Sequence, residues 1–269
     1  MKRFKKILLR SLIVIAVLLV AGMFGMRWSG SKHEPVEAVA GAENVYRIRN
    51  MIVDFYAAKT SDGVILFDAG VDVTGGPLDA LLAKANANDP KRDQVKTVFV
   101  THGHTDHIAA ISLLPQAKVY ASAEDAATMQ GQGANQRPMP KILGKIFGVP
   151  PVNATDLLKG RSEIPVGDGR EKVLAIPFPG HTPGSYLYVF RGVLFVGDAF
   201  NFSNERLEFP PNVVTEDMGA VRLSIAQLPK LLEGVEVKII CTGHGGCTYP
   251  ENTAALLDQL VAQAQAAFN

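Results

Sequence analysis

The segment that most constrains this chain is Thr101–His107, which reads THGHTDH. It offers three imidazoles and one carboxylate within six positions, at His102, His104, Asp106 and His107. Buried polar groups at this density cost free energy unless each finds a partner, so the cluster has little use as ordinary core. Imidazole and carboxylate are the ligands that zinc and neighbouring transition metals prefer. The segment therefore predicts a metal site.

Three more candidate ligands lie further along the chain, each just after a block that predicts a strand. They are His181 in PGHTPGS, Asp198 in FVGDA and His244 in CTGHGG. Taken alone, each would more often be an ordinary loop histidine or turn aspartate. Their common position after strands, in this order behind the first segment, indicates that they complete the same site.

The apolar pattern predicts an alternation of strands and helices. Short apolar blocks bounded by turn residues predict strands, as in Asn44–Ala69, Lys96–Val100 and Tyr186–Phe190. Apolar residues at helical spacing predict helices at Pro77–Asn86 and Asn252–Phe268. This pattern is typical of an α/β protein whose helices lie outside two sheets.

The first 26 residues differ from the rest. Five basic residues among the first ten precede an apolar run that ends at Met26. A membrane span needs roughly 20 apolar residues, and Ile7–Met26 reaches that length. We expect residues 1–26 to be an uncleaved signal anchor, with a cleaved signal peptide as the alternative. Residues 27–43 then form a linker, and the body, residues 44–269, is expected to be exported to the periplasmic side and tethered to the membrane by this helix.

The charge of the body argues against one class of partner. Five of the 27 basic residues lie in the leader, which leaves 22 basic against 26 acidic residues, a net charge of −4. A mildly acidic body without a basic stripe is not suited to a phosphate backbone, so we expect no nucleic acid partner. A small-molecule substrate is expected instead, and the sequence indicates no particular protein partner.

The chain has two cysteines, Cys241 and Cys247, in the segment CTGHGGC. The favoured interpretation is a buried Cys241 that ends a strand and a free Cys247 in a loop. A disulfide across this short loop is an alternative in an oxidising compartment, although its geometry is demanding. Cys247 as a metal ligand is a third interpretation, which the abundance of histidine and aspartate disfavours.

Together, HGHTDH, GHTPGS, GDA and GHG resemble the metal-binding signature of the metallo-β-lactamase superfamily, and the resemblance covers the chain from about Asn44 to its end. It implies a four-layer αββα sandwich with the metals at one edge between the sheets. It also implies two metal ions, expected to be Zn²⁺, with iron or manganese as alternatives. The implied ligands are His102, His104 and His181 for the first ion, Asp106, His107 and His244 for the second, and Asp198 bridging both.

The resemblance also implies roles for two aspartates. Asp106 would orient the nucleophile and then protonate the leaving group. Asp68, at the strand end FDAG, would hydrogen-bond a ligating histidine and fix its tautomer. The alternative for Asp68 is an ordinary turn aspartate.

The reaction implied is hydrolysis, in which a hydroxide generated between two metal ions attacks the carbonyl of an ester, lactone, thioester or amide. The bridging Asp198 resembles glyoxalase II and the lactonases more than the true β-lactamases, which generally lack it. A β-lactamase remains an alternative, as does a mononuclear iron enzyme similar to the persulfide dioxygenases, which His107 and His244 disfavour. A non-catalytic binding protein is a further alternative, which retention of the full ligand set disfavours.

The segment Gly131–Gly160 is rich in glycine, proline and lysine, with a short apolar piece at Lys141–Phe147. We expect it to be an insertion over the active-site face and a candidate substrate lid, since specificity usually resides in loops on a rigid scaffold. Docking of the insertion onto the body, or contact with the membrane, are the alternatives.

Overall fold

A computed structural model describes residues 32–86, 89, 91–132 and 138–268. The predicted leader, residues 1–26, lies outside the described residues. Among the residues that are described, no helix combines the length and the apolar character needed to cross a bilayer.

The described chain contains fifteen strands. They are β1 Glu37–Ala38, β2 Val45–Asn50, β3 Val53–Thr60, β4 Gly63–Phe67, β5 Val95–Phe99, β6 Lys118–Ser122, β7 Asp156–Leu158, β8 Ser162–Val166, β9 Glu171–Pro177, β10 Tyr186–Phe190, β11 Val193–Gly197, β12 Asn201–Ser203, β13 Arg206–Glu208, β14 Ile239–Thr242 and β15 Gly246–Cys247.

Two mixed sheets account for all but one hairpin of these strands. The first sheet runs β1 to β7 in chain order, antiparallel from β1 to β4 and parallel from β4 to β7. The second has the order β15-β14-β11-β10-β9-β8, and β11 and β14 are its parallel pair. Strands β12 and β13 form a separate hairpin. The α/β class and the presence of two main sheets agree with the prediction.

The described part of the chain contains seven α-helices. They are α1 Gly76–Ala85, α2 Thr105–Ile108, α3 Ala123–Met129, α4 Pro138–Phe147, α5 Met218–Ala226, α6 Leu228–Leu231 and α7 Thr253–Gln265, with 3-10 turns at Arg92–Gln94, Ala109–Leu113 and Ala266–Phe268. Helix α2 is a single α-helical turn, and the chain continues from it as the 3-10 turn Ala109–Leu113.

Successive side chains along each strand point to opposite faces of the sheet and so enter different core layers. In β4, Val64 and Leu66 join the core under α1, whereas Ile65 and Phe67 join the core between the sheets. In the second sheet, Phe195 faces that same central core, and its neighbours pack under α5 and α7. Strand side chains point to opposite faces in turn, so each sheet is buried on both sides.

The edges of the first sheet differ from the predicted boundaries. Glu37–Ala38, predicted as linker, pairs with β2 as β1. Asp156–Leu158, predicted as part of the insertion, pairs with β6 as the edge strand β7. The apolar piece Lys141–Phe147 lies on helix α4. Strands of two or three residues are too short to show a period-2 apolar pattern, which is why the sequence did not indicate them.

The two cysteines form a disulfide. Cys241 in β14 and Cys247 in β15 are bonded, with their Cα atoms 4.1 Å apart. The favoured interpretation of free thiols was therefore wrong. The reason is that β14 and β15 pair antiparallel with Cys241 opposite Cys247, so the loop between them closes back on itself.

Candidate metal centre

All seven predicted ligands meet at one rim of the sandwich. The rim consists of the carboxyl ends of β5 in the first sheet and of β9, β11 and β14 in the second. Strand β5 leads into the HGHTDH segment, in which α2 begins at Thr105. Asp198 follows β11 directly, and His181 and His244 lie in the loops after β9 and β14. Strands that run the same way bring their ends together, which is why motifs distant in sequence converge here.

The ligand atoms form three overlapping groups. In each group they lie within 4.8 Å of one another, and the groups are His102–His104–His181, His102–His107–Asp198 and Asp106–His107–His244. The Nε2 of His181 lies 3.0 Å from the Nδ1 of His104.

Asp198 lies in the middle of the site. Its Oδ1 is 3.3 Å from the Nε2 of His107. Its Oδ2 is 3.2 Å from the Nε2 of His244 and 3.6 Å from the Nε2 of His181. The backbone of Gly243 passes so close that an added Cβ would lie 2.3 Å from Asp198 Oδ1, so only glycine allows this approach.

Hydrogen bonds on the far side of four rings select their tautomers. The Nδ1 of His107 donates to Asp68 Oδ2 at 2.8 Å. The Nδ1 of His244 donates to the carbonyl of Ile52 at 2.7 Å. Thr101 Oγ1 donates to Asp68 and so accepts from His102 Nδ1, and Thr215 Oγ1 donates to a carbonyl and so accepts from His181 Nδ1. In its neutral form, each ring then has an Nε2 lone pair that points into the site.

Four atoms of the site make no hydrogen bond within the described part of the chain. They are the Nε2 atoms of His102, His104 and His107 and the Oδ1 of Asp198, all buried. Each unsatisfied buried polar group costs about 1–3 kcal/mol. Imidazole nitrogens and carboxylate oxygens grouped within 4.8 Å of one another form a donor set that a transition metal ion would satisfy, so these residues fit a metal.

Electrostatics support the same fit. Burial lowers the pKa of His181 to about 3 and holds the pKa of His102 well below its usual range. Both rings are therefore neutral, which is the form that binds metal. Burial also opposes protonation of His244, but Asp198 and Asp106 outweigh it and raise its pKa to about 10. The carboxylates thus attract positive charge, which a cation would supply.

Two residues that support the site were not identified from the sequence in this role. The backbone N–H of Asp125 donates to Ser122 Oγ at 3.0 Å, which caps helix α3. The Oδ2 of Asp125 also accepts from the Gly103 amide at 2.8 Å and from Thr182 Oγ1 at 2.7 Å. Asp125 therefore ties the HGHTDH segment to the His181 loop. Thr215, 34 positions from His181, carries no local signal of its contact with that ring.

Comparisons with known proteins agree with this site. The family model described as metallo-beta-lactamase superfamily matches residues 48–244. The probable metallo-hydrolase YflN of Bacillus subtilis (strain 168) is 28% identical over 206 residues, which cover 67% of this chain and 75% of that protein. A hydroxyacylglutathione hydrolase of Bartonella tribocorum is 31% identical over 152 residues, 55% of this chain and 51% of that protein.

The curated relatives and the solved structures differ in what they show. The chain spans between 49% and 75% of the length of the curated relatives it matches. A metallo-beta-lactamase from Cronobacter sakazakii with a HARLDQ motif has a solved structure with a TM-score of 0.63, which covers 90% of this chain and 96% of that one. At 20% identity, this likeness shows the fold alone.

Proposed function

The chain belongs to the metallo-beta-lactamase superfamily, and we propose that it is a metal-dependent hydrolase of an ester, lactone, thioester or amide. The observation that carries this proposal is the convergence of seven ligand-type side chains, four of which bury an atom with no hydrogen-bond partner among the described residues. Members of this superfamily bind metal ions and are usually hydrolytic enzymes, which supports the same reaction class.

We assign the residues to two ions. His102, His104 and His181 would hold the first, and Asp106, His107 and His244 the second. Asp198 would bridge them, because its two oxygens face histidines of both groups. Zinc suits this set of nitrogen and oxygen donors, and iron or manganese are alternatives.

The bound ions would supply Lewis acidity, which polarises a carbonyl and makes water a nucleophile near neutral pH. The chain's own residues do the rest. Asp106 is 29% exposed, whereas the His107 ring is fully buried, so Asp106 lies at the mouth where a substrate enters. Its Oδ2 is 3.5 Å from His244 Nε2, close enough to orient a nucleophile and far enough out to pass a proton to the leaving group.

The match to hydroxyacylglutathione hydrolases favours a thioester or ester among the carbonyl substrates. The bridging Asp198 supports the same choice, because the true β-lactamases of this fold generally lack it. The complete Asp106–His107–His244 group argues against a mononuclear iron oxidative enzyme.

We propose that helix α4 forms one wall of the substrate site. Its Gly144 contacts Thr105, within the HGHTDH segment, so closely that an added Cβ would lie 2.5 Å from Thr105 Cγ2. Its Phe147 is buried against Val53 and Val71. The helix is therefore docked on the body, and a cavity of about 400 Å³ lies beside it. This cavity is lined by Thr105, Ile108, Thr128, Met129, Lys141, Lys145 and neighbouring residues.

This cavity combines apolar walls with two lysines, which suits an amphiphilic acyl or anionic substrate. We also propose that the protein works outside the cytoplasm. The Cys241–Cys247 disulfide supports this location, because disulfides persist mainly in oxidising compartments.

The test is to purify the full chain, measure its bound metals, and assay lactones, thioesters, esters, β-lactams and phosphodiesters in parallel. We expect close to two zinc ions per chain and turnover of a carbonyl substrate. His181→Ala should empty mainly the first site and His244→Ala mainly the second. One iron with oxygen consumption would favour the oxidative alternative. No metal and no turnover would leave a binding protein.

A further inference from the structure

Among the five candidate histidine ligands, His244 is the one that packing holds least. Its side chain is 24% exposed, whereas those of His107 and His181 are fully buried. It lies in the loop Gly243–Gly246, in which all residues except His244 are glycine. Glycine has the largest backbone freedom to lose, so an ordered position for His244 requires constraints from outside the loop.

The first constraint is covalent. The Cys241–Cys247 disulfide closes a ring of seven residues with His244 at its centre. The same two cysteines are paired across β14 and β15, next to the pair Thr242 and Gly246. Both ends of the glycine-rich loop are thereby held together.

The second constraint is Asp54, a fully buried residue near the start of β3. Its Oδ2 accepts from the amides of Gly245 at 3.2 Å and Gly246 at 2.9 Å. Its own amide donates to the carbonyl of Gly243 at 2.7 Å. Asp54 thus binds the backbone on both sides of His244, and the adjacent Ile52 carbonyl accepts from the His244 ring.

Two arginines allow the Asp54 carboxylate to be buried. Arg47 Nε donates to Asp54 Oδ1 at 2.8 Å, and Arg49 Nη2 donates to Oδ2 at 2.5 Å. A buried carboxylate needs such charge-assisted partners, because burial without them is costly. None of these three side chains belongs to the ligand groups, and the reaction proposed above gives them no task.

We propose that Asp54 and the Cys241–Cys247 disulfide together form a clamp that positions His244, and that the second metal group reaches its full affinity only when this clamp is intact. This inference rests on the proposed metal centre. Asp54 is here a positioning residue, since it acts on the ion through the loop and touches neither the ion nor the substrate.

The test compares the full-length wild type with Asp54→Asn and with the double variant Cys241→Ser/Cys247→Ser. Serine removes the bond without leaving thiols that would bind zinc themselves. Asp72→Asn is the matched control, because Asp72 is also buried and accepts from several backbone amides, at Thr74, Gly75 and Gly76, but lies outside the clamp.

Two readouts are needed. The first is Zn²⁺ stoichiometry and affinity, measured by competition with a chromophoric chelator. We expect the first ion to be retained and the second to bind about 10- to 100-fold more weakly in the clamp variants, the range typical of lost support around a ligand. The control should keep the wild-type affinity for both ions. The second readout is amide exchange at Gly245 and Gly246 in metal-free protein, which should accelerate in both clamp variants and not in the control.

Wild-type affinity for the second ion in both clamp variants would overturn the proposal, as would unchanged exchange of the two glycine amides. A loss of second-ion affinity in Asp72→Asn as large as in Asp54→Asn would overturn it too, because the effect would then be one of general stability. Wild-type protein that binds no Zn²⁺ would instead overturn the metal centre, and the exchange comparison would still decide whether the clamp orders the loop.

Discussion

At the residue scale, the site depends on side chains that hold the ligands as much as on the ligands. Asp68 adopts a left-handed backbone conformation, with φ of 61°, and its carboxylate accepts from Thr101 and from His107. A non-glycine residue in this region costs free energy, so the surrounding contacts must favour it. This conformation places the Asp68 carboxylate between the HGHTDH segment and the end of β4.

Asp106 offers the sharpest test of a single residue. We expect Asp106→Asn to keep most of the bound metal and to lose about 100-fold or more in turnover. The amide retains an oxygen that can bind metal, but it cannot take up and release a proton as a carboxylate does. Metal analysis and steady-state kinetics measure the two effects separately. Asp62→Asn, in the turn between β3 and β4 at the opposite rim, should keep the wild-type rate. Wild-type turnover in Asp106→Asn would show that Asp106 serves only as a metal ligand.

Asp125 predicts a pH dependence of stability. Burial raises the pKa of this carboxyl to about 6. The folded chain therefore binds more protons at Asp125 than the unfolded chain does between about pH 4 and pH 6. Its contribution to the unfolding free energy must then fall as the pH rises through this window, by up to about 3 kcal/mol.

The comparison with Asp125→Asn isolates this contribution. In urea titrations of metal-free protein, the stability of wild type relative to the variant should decrease from pH 4 to pH 6 and stay level above that. A difference that does not change with pH would show that the carboxyl does not titrate there.

The sequence indicated the candidate ligands because four of them share one short segment and the others follow predicted strands. It could not identify the roles of Asp125, Thr215 or Asp54. Each acts through a partner far along the chain, such as Thr182, 57 positions from Asp125. The disulfide was missed for a related reason, since only the pairing of β14 with β15 brings Cys241 opposite Cys247.

At the element scale, helix α4 is the part whose role the sequence left most open. The structure shows a helix docked through Gly144 and Phe147, with Ile142 53% exposed. Docking onto the body and a role in substrate binding, which the sequence presented as alternatives, are thus compatible. Glycine, proline and lysine dominated the composition of the segment and hid the helical spacing of its few apolar residues.

Gly144→Leu tests the role of α4 without weakening the helix itself, because leucine has the higher helix propensity. Its side chain would collide with Thr105 and push α4 away from the HGHTDH segment. We expect a several-fold change in KM or in selectivity across the substrate panel, with unchanged metal content. Ile142→Leu, at an exposed position on the same helix, is the control. Unchanged kinetics in Gly144→Leu would assign α4 a purely structural role.

At the scale of the whole molecule, stability depends on the layer between the two sheets. Phe67 and Phe195 stack across it with ring centroids 3.8 Å apart, and Phe67 also stacks on Phe99. The alternation of strands and helices allowed this layered architecture to be predicted. The pairing of particular aromatic rings could not be predicted, because it depends on the relative placement of two sheets that the sequence does not encode locally.

Phe195→Ala should lower the unfolding free energy by about 3–5 kcal/mol, since it removes a large buried side chain and leaves a cavity. Urea unfolding of metal-free protein measures this loss as a lower midpoint. Leu157→Ala, at a position 52% exposed, should change stability by no more than about 0.5 kcal/mol. Equal effects of the two substitutions would contradict the central position of Phe195.

The position of the candidate metal site has one more consequence, because its candidate ligands follow strands of both sheets. His102, His104, Asp106 and His107 follow a strand of one sheet, and His181, Asp198 and His244 follow strands of the other. An ion bound there would cross-link the two sheets. Each tenfold rise in free metal above the dissociation constant would then add about 1.4 kcal/mol to the resistance of the chain to unfolding. When metal is scarce, we expect proteases to cleave the chain sooner. The contact between the two sheets at this rim would open before the contact at the opposite rim.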